Sequence, residues 1–231
     1  MGAKLPKPLQ RPEASEMCPP GSHLVRAHER ICQSGTRTWV DTHTRRNRGG
    51  QQAMLLKENI LWLYWKYSDK YKKLKSVHGF PNENEFDAAI QFWMEFWLLQ
   101  GLKFSDYDPL LIKTLIAIES SFNPVAAPKV KGSTAFGLMQ ITNQTMRILA
   151  GIPNRDGYRE LKPPYIQISR ADAADPIVNI AAGTRWLFYK HTKLPKGAER
   201  TTKNVFKNYY GWGKDGDAYA ERIYELYKKS R

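Results

Sequence analysis

Apolar residues recur every three or four positions from Met54 to Leu74, and lysines fill much of the opposite face. This spacing places the apolar side chains on one side of a helix. The sequence therefore predicts a long amphipathic helix. Its apolar face would consist of Met54, Leu55, Ile60 to Trp65, Tyr67, Tyr71 and Leu74.

A second helix is predicted after the breaking sequence Gly79-Phe80-Pro81-Asn82. Asn82 is followed three residues later by Glu85, a pairing typical of a helix start in which two side chains cap backbone groups reciprocally. We expect this helix to end at Gly101 and to bury an aromatic face in the core, with a sugar-binding platform as the alternative interpretation. That face consists of Phe86, Ile90, Trp93, Phe96 and Trp97.

A third helix is predicted to begin at Asp108-Pro109, with Asp108 as N-cap and Pro109 at the first helical position. It ends near Glu119, where Ser120 to Pro124 favour a turn. Burial and the C-terminal end of the helix dipole both favour the neutral form of Glu119, which is the form that a general acid needs. Glu119 is therefore our candidate catalytic residue, and a solvated Glu at a helix end is the alternative.

A second candidate segment runs from Gly132 to Thr142. Its glycines allow the backbone to approach a ligand, and the amide of Gln140 can both donate to and accept from hydroxyl groups. Thr142 or Asn143 is predicted to cap a short helix that ends at Gly151. The following irregular stretch, 153–173, is either a binding loop or a plain surface loop.

The N-terminal region differs from the rest of the chain in composition and in residue pattern. Residues 1–22 are rich in proline and polar residues and are expected to form a tail or linker. Two copies of the pattern V-x-x-H-x-R then begin at Val25 and Val40, and turn-forming residues 33–36 lie between them. This arrangement predicts a small basic β-hairpin. It would serve as a docking element, as a contact for a polyanion, or simply as a solvated arm.

The composition narrows the candidate functions. The chain has 231 residues, 42% of them apolar, and a net charge of +14. Such a chain supports one well-packed body and favours polyanionic partners: nucleic acid, an anionic membrane surface or an acidic cell wall. Nucleic acid is not expected because no recognition motif is visible. Neither a transmembrane segment nor a secretory signal peptide is predicted.

Two cysteines, Cys18 and Cys32, lie near His23, His28 and His43. Thiolate and imidazole ligands suit zinc, but the spacing does not match a familiar finger. A disulfide or free thiols remain the alternatives, since the sequence fixes neither pairing nor compartment. No metal and no cofactor are predicted.

Several motifs occur in an order that closely resembles the soluble lytic transglycosylase domain, a lysozyme-like family that acts on peptidoglycan. The resemblance covers about Tyr107 to Lys229, and the residues before it lie outside. The motifs are Leu110-Leu111, Glu119-Ser120, Phe122-Asn123-Pro124, Gly137-Leu138-Met139-Gln140, Thr145, Asp175-Pro176, Asn179-Ile180, Gly183, Leu187 and Tyr219-Ala220-Glu221-Arg222-Ile223.

The resemblance implies that Glu119 acts alone. It would protonate the glycosidic oxygen between N-acetylmuramic acid and N-acetylglucosamine, and then take the proton from the muramyl 6-hydroxyl as a 1,6-anhydro ring closes. A glycosidase with two carboxylates would need a second Asp or Glu across the cleaved bond. The sequence offers no obvious partner for Glu119: Asp156, Glu160, Asp172 and Asp175 fall in or beside the long loop.

The resemblance also implies substrate-binding roles for several other residues. Ser120 would orient the carboxyl group or the substrate, and Gln140 would lie next to the cleaved linkage, whereas Met139 is better explained by core packing. Tyr209 matches the family tyrosine whose hydroxyl approaches the Glu. Tyr210 replaces the usual Asn, a departure from the family pattern that favours the non-catalytic alternative. In an alternative alignment Asn208 supplies the polar group.

The expected fold class is mainly α: a lysozyme-like helical domain with an N-terminal helical extension and a small basic N-terminal hairpin or tail. The expected domains are 1–50, 51–105 and 106–231. The predicted function is peptidoglycan lytic transglycosylase. The alternatives are a lysozyme-type hydrolase and a non-catalytic wall-binding component of a secretion system or virion.

The predicted partner is the peptidoglycan glycan strand, in the periplasm or cell wall. Because no export signal is visible, delivery is expected through a secretion apparatus, a phage particle or lysis. The N-terminal region, with its predicted hairpin, is the candidate docking part for a secretion-apparatus or virion partner.

Overall fold

A computed structural model describes residues 9–13, 16–20, 22–25, 28–31, 37–40, 43–46, 54–104, 106, 108–128 and 130–231. The fold is mainly helical, as the sequence predicts. The helices are α1 Lys57–Tyr67, α2 Asp87–Leu99, α3 Pro109–Ser120, α4 Asn143–Leu149, α5 Pro176–Thr192, α6 Thr202–Tyr210 and α7 Lys214–Ser230. The strands are β1 Ser22–Val25, β2 His28–Ile31, β3 Arg37–Val40, β4 His43–Arg46, β5 Met54–Leu55 and β6 Tyr165–Ile166.

The first four strands form two antiparallel pairs. β1 pairs with β4, and β2 pairs with β3. The register is the same in both pairs, as expected for the predicted β-hairpin. The two copies of V-x-x-H-x-R therefore face each other: Val25 pairs with His43, and His28 pairs with Val40. The predicted turn at 33–36 lies outside the described residues.

A buried asparagine attaches the segment before this hairpin to the helical body. The Asn59 amide, on α1, donates to the carbonyl oxygens of Cys18, Pro19 and Ser22 at 3.0–3.1 Å. Met17 and Cys18 are buried. The segment predicted as a tail thus packs on α1 at its C-terminal end, because this one side chain satisfies three of its carbonyl groups.

Cys18 is a free, buried thiol in the described part of the chain. Burial, reinforced by the nearby Glu58 carboxylate, raises its pKa to about 11. Cys32 and the side chains of the three candidate histidines lie outside the described residues, so the zinc and disulfide hypotheses remain untested.

The first long helix is shorter than predicted. Met54 and Leu55 form β5, which pairs in parallel with Tyr165 and Ile166 of β6, and α1 ends at Tyr67. Residues at both ends of this region contribute to the core, since Leu55 is buried and Leu74 packs against the buried cluster. Their burial accounts for the apolar periodicity that the sequence shows. A shared buried face does not require a continuous helix.

The predicted start of the second helix is also wrong. Asn82 adopts a left-handed conformation with φ of 59°, and α2 begins only at Asp87. The physical reason is a buried lysine on α3. Lys113 is completely buried, and its Nζ lies 2.9 Å from Asp87 and 3.4 Å from Glu83. Residues 83–87 are thus arranged around this cation instead of forming the first helical turn.

Other helix ends follow local sequence chemistry, as predicted. The Asp108 side chain accepts a hydrogen bond from the Leu110 N–H at the start of α3. The Thr142 hydroxyl caps α4 by accepting from the Thr145 N–H at 3.0 Å. Gly101 follows the end of α2 with φ of 78°, a conformation that glycine adopts without strain.

One hydrophobic core runs through the body of the molecule. α2 packs on α5, and the Trp97 indole donates to the Thr184 hydroxyl at 3.1 Å. Trp93, Trp97 and Phe86 belong to the same buried cluster as the apolar faces of α3 and α5. The predicted extension 51–105 therefore shares its core with the predicted domain 106–231. Among the described helices, none has the length and apolar character to cross a bilayer.

Candidate active site

The candidate site is built around the last turn of α3. Glu119 is half-buried there and is followed by a sharp change in chain direction, since Ser121 and Phe122 both adopt left-handed conformations with φ of 52° and 60°. The expected placement of Glu119 at a helix end is confirmed. Its carboxyl group lies at the boundary between the core and solvent.

Aromatic packing holds the turn after Glu119. The Phe122 ring is buried, stacks on Phe86 with ring centres 6.4 Å apart, and meets Phe80 edge-on at 5.9 Å. Both partners come from the region before residue 100. Because left-handed conformations cost free energy for residues other than glycine, such packing is needed to keep the turn populated.

A tyrosine of α7 contacts Glu119. The Tyr219 hydroxyl donates a hydrogen bond to Oε1 of Glu119, and the Tyr219 side chain is buried. Burial, followed by the nearby Glu119 carboxylate, raises the pKa of Tyr219 well above its ordinary value. The phenol is therefore protonated at neutral pH and stays a donor, which fixes the orientation of the carboxyl group.

The same helix holds the other end of α3. The Tyr227 hydroxyl donates to Oδ2 of Asp108 at 2.5 Å. Asp108 and Glu119 stand at opposite ends of α3, and both accept hydrogen bonds from tyrosines of α7. Both contacts hold α7 against α3, and the Tyr219 contact is the one that reaches the Glu119 carboxyl group.

Tyr209 lies near Glu119 and contacts the second candidate segment. Its hydroxyl donates to the main-chain oxygen of Met139. Burial, followed by the neighbouring Glu119 carboxylate, raises the pKa of Tyr209 as well. Tyr209 and Tyr219 therefore both bring hydroxyl groups to this region, and Tyr219 supplies the hydrogen bond to the carboxyl group.

The segment containing Met139 is fixed by an asparagine of α5. The Asn179 side chain accepts from the Met139 N–H at 2.9 Å and donates to the carbonyl oxygens of Phe136 and Ala173. Gly137 lies so close to Asn179 that a Cβ atom on the glycine would come within 2.2 Å of the amide nitrogen. Glycine is required there for close approach and for its φ of 77°.

Met139 is completely buried, in agreement with a packing role. It lies against Gly183 of α5, where an added Cβ would be 2.3 Å from the Met139 sulfur. The Gln140 amide donates to the carbonyl oxygens of Ala126 and Gly137, both at 3.0 Å. Gln140 thus ties together two chain segments within the protein.

Three other predicted site residues occupy distinct positions. The Ser120 hydroxyl donates back along α3 to the Ile116 oxygen at 3.1 Å. The Asn208 amide donates to the Lys190 oxygen at 2.8 Å and so joins α6 to α5. Tyr210 is 59% exposed and stacks on Tyr219, with ring centres 4.8 Å apart.

Three of the four carboxylates considered as second catalytic groups have side-chain contacts of their own. Asp175 caps α5, and Asp172 accepts from Ser169 at 2.7 Å. Glu160 accepts from the Tyr189 hydroxyl at 3.1 Å. Asp156 and Glu160 both line a polar cavity of about 620 Å³ beside α4. Asp156, Glu160 and Asp172 thus belong to the loop 153–173, and Asp175 belongs to the start of α5.

Tyr219 is the site residue for which the sequence predicted no role. It belongs to the motif that resembles the closing helix of the family, but its contact with Glu119 joins positions 100 residues apart. Its helical spacing from Ile223 indicates only a buried face. The one available signal was its place in an ordered set of motifs.

Comparison with known protein families gives a match over part of the chain. Residues 100–209 match the model of a family described as Transglycosylase SLT domain. The matched segment includes Glu119, Met139, Gln140 and Tyr209, and it ends before Tyr210 and α7. No curated protein matches the chain.

Proposed function

Since residues 100–209 of the chain are a transglycosylase SLT domain, a lytic transglycosylase domain of the lysozyme-like superfamily, we propose that the protein cleaves peptidoglycan with Glu119 as its catalytic acid and base. The observation that carries this proposal is the half-buried Glu119 carboxyl, held by the protonated hydroxyl of Tyr219 at the end of α3. A fixed and partly desolvated carboxyl group is suited to proton transfer.

In the proposed reaction, Glu119 begins as the carboxylic acid. It donates its proton to the oxygen that joins N-acetylmuramic acid to N-acetylglucosamine, and the bond between that oxygen and the muramyl C1 breaks. The carboxylate then accepts the proton of the muramyl 6-hydroxyl, whose oxygen bonds to C1. The products are a free N-acetylglucosamine end and a 1,6-anhydro ring. No water is consumed, and Glu119 returns to its starting form.

The surrounding residues support this double use of one carboxyl group. The Tyr219 hydroxyl donates to Oε1 and so fixes the orientation of the carboxyl group that exchanges the proton. Tyr209 and Gln140 hold the Met139 segment, which we propose forms one wall of the glycan-binding groove. Ser120 follows Glu119 directly and is proposed to support the last helical turn through its hydrogen bond to the Ile116 oxygen.

The substrate is also consistent with the charge of the protein. Peptidoglycan and its associated polymers carry acidic groups, and a net charge of +14 favours their binding by long-range attraction. The protein is therefore proposed to act in the periplasm or cell wall on glycan strands. Charge supports the encounter, while cleavage depends on Glu119.

The hairpin β1–β4 is the proposed docking element for delivery. Its attachment through Asn59 leaves Arg37 and Arg45 exposed. Replacing residues 24–45 by a short Gly-Ser linker retains the buried Met17 and Cys18. We expect this variant to cleave purified peptidoglycan normally but to lose copurification with secretion apparatus or virions. Unchanged copurification would refute the docking role.

The direct test of the catalytic assignment compares the wild type with Glu119→Gln on purified peptidoglycan. Glutamine keeps the shape of the side chain but cannot donate or accept the catalytic proton, so release of soluble fragments should fall to background. Glu225→Gln, an exposed change on α7, is the matched control and should retain full activity. If Glu119→Gln retained activity, the assignment would be wrong. No release by the wild type would favour the non-catalytic wall-binding alternative.

A further inference from the structure

An exposed aromatic ring lies one side chain away from the Glu119 carboxyl group. Tyr210 is the last residue of α6, and one face of its ring stacks on Tyr219 with an angle of 24° between the planes. Tyr219 in turn donates to Glu119. Although it is stacked, Tyr210 remains 59% exposed, so much of its ring is available to a ligand.

A second aromatic ring follows in the same loop. Trp212 is 44% exposed, and Lys207 of α6 places its ammonium group 4.9 Å from the centre of the indole ring. Asp217 holds that ammonium group, with a nitrogen–oxygen distance of 2.5 Å. The exposed indole is therefore held in one position by a cation that is itself paired.

The loop between these rings is tightly built. Gly211 and Gly213 have φ of 141° and 115°, which other residues rarely adopt. Gly216, in the first turn of α7, approaches so closely that a Cβ atom there would lie 1.8 Å from the Gly211 oxygen. Such close backbone contact restricts the loop, so both aromatic rings are presented from a preorganised surface.

Packing within the protein does not account for this exposure. Isolated exposed apolar residues are common, but two large aromatic side chains within three residues and beside a candidate catalytic group indicate a binding surface. The ring of a β-linked hexosamine has C–H groups on its faces and hydroxyl groups around its edge. Its faces can pack on tyrosine and tryptophan while its hydroxyls stay hydrated.

We propose that Tyr210 and Trp212 form a sugar-stacking subsite for N-acetylhexosamine rings of the glycan strand next to the cleaved bond. This inference rests on the proposed function and adds a contact to it. Replacement of the usual family Asn by Tyr210 thus exchanges a polar contact for a stacking one. The subsite would bind the strand and hold the scissile linkage over Glu119.

The test measures binding without turnover. In the Glu119→Gln background, isothermal titration with the tetramer of β-1,4-linked N-acetylglucosamine gives the dissociation constant. Trp212→Ala and Tyr210→Asn should each weaken binding by about fivefold or more, as expected for loss of one aromatic contact. Tyr158→Ala, which removes a tyrosine that is 61% exposed elsewhere, is the matched control and should bind as the parent does.

Two further measurements test the contribution of the aromatic rings themselves. Tyr210→Phe keeps the ring and should bind the tetramer within twofold of the parent. In the active enzyme, Trp212→Ala should raise KM and leave kcat nearly unchanged. Circular dichroism establishes that each variant is folded.

The outcomes distinguish this inference from the proposed function. If the wild type cleaves peptidoglycan while the Tyr210→Asn and Trp212→Ala variants bind the tetramer like their parent, the subsite is wrong and the function stands. Failure of the parent to bind the tetramer would also overturn the subsite. If the variants lose tetramer binding but the wild type releases no fragments, the subsite stands and the function falls.

Discussion

Replacement of Tyr219 by Phe should reduce kcat strongly and leave the fold intact. The change removes one hydroxyl group, the donor to Oε1 of Glu119. The ring remains available to fill the same buried space and to stack on Tyr210 at 4.8 Å. The perturbation is therefore confined to the hydrogen bond that orients the carboxyl group.

The expected magnitude follows from the chemistry of that bond. A hydrogen bond to a charged group contributes about 1.5–3 kcal/mol. If this contribution is lost in the transition state, kcat falls about 10- to 150-fold, since about 1.4 kcal/mol corresponds to a factor of ten. The assay is the initial rate of soluble fragment release across a range of peptidoglycan concentrations, which separates kcat from KM.

Tyr227→Phe is the matched control. It removes a tyrosine hydroxyl from the same helix, one that donates to the Asp108 carboxylate at the far end of α3. It should lower stability by about 1.5–3 kcal/mol without a comparable loss of kcat. Equal kcat in Tyr219→Phe and the wild type would refute the positioning role. Equal losses in both variants would show a general effect of loosening α7.

Three further changes test packing and titration in the body, each by urea denaturation. Lys113→Met leaves two buried carboxylates without their cation and should lower the free energy of unfolding by about 3–5 kcal/mol. The control Lys70→Met, at an exposed ion pair, should lower it by no more than about 1 kcal/mol. Equal losses in the two variants would contradict this prediction. Gly183→Ala forces a Cβ against Met139 and should cost about 1–3 kcal/mol, and full stability would show that Met139 can move. Burial, reinforced by the positive charge of Arg200, lowers the pKa of His191 in the folded protein. Below about pH 6.5 the unfolded chain therefore binds more protons at this residue than the folded protein does, and stability falls as the pH falls. His191→Asn should make that fall shallower, and an unchanged slope would refute the assignment.

Local chemistry made part of the fold predictable. Asp108 before Pro109 marks the start of α3 because a carboxylate can cap free N–H groups and proline fits the first helical position. Thr142 and Gly101 mark helix ends for similarly local reasons. The placement of Glu119 at the end of α3 followed from these signals and from the turn residues after it.

Long-range contacts explain the remaining differences. The local Asn82–Glu85 signal failed because Asp87 and Glu83 are drawn to Lys113, a residue of α3. Met54 and Leu55 form a strand only because Tyr165 and Ile166 pair with them. No local pattern encodes these partners.

The same limit applies to the site. The candidate carboxyl group was predictable from its own helix, but Tyr219 reaches it from a helix that begins nearly a hundred residues later. Asn179 likewise arranges the Met139 segment from α5. The sequence therefore identifies the reacting group more readily than the side chains that orient it.

Glu119 is proposed to act twice, with a sugar hydroxyl instead of water completing the reaction. Digestion of purified peptidoglycan in water labelled with a heavy oxygen isotope, followed by mass spectrometry of the fragments, tests it directly. We expect unlabelled fragments that are one water lighter than hydrolysis products and that are absent with Glu119→Gln. Hydrated fragments carrying the label would show that the protein is a hydrolase.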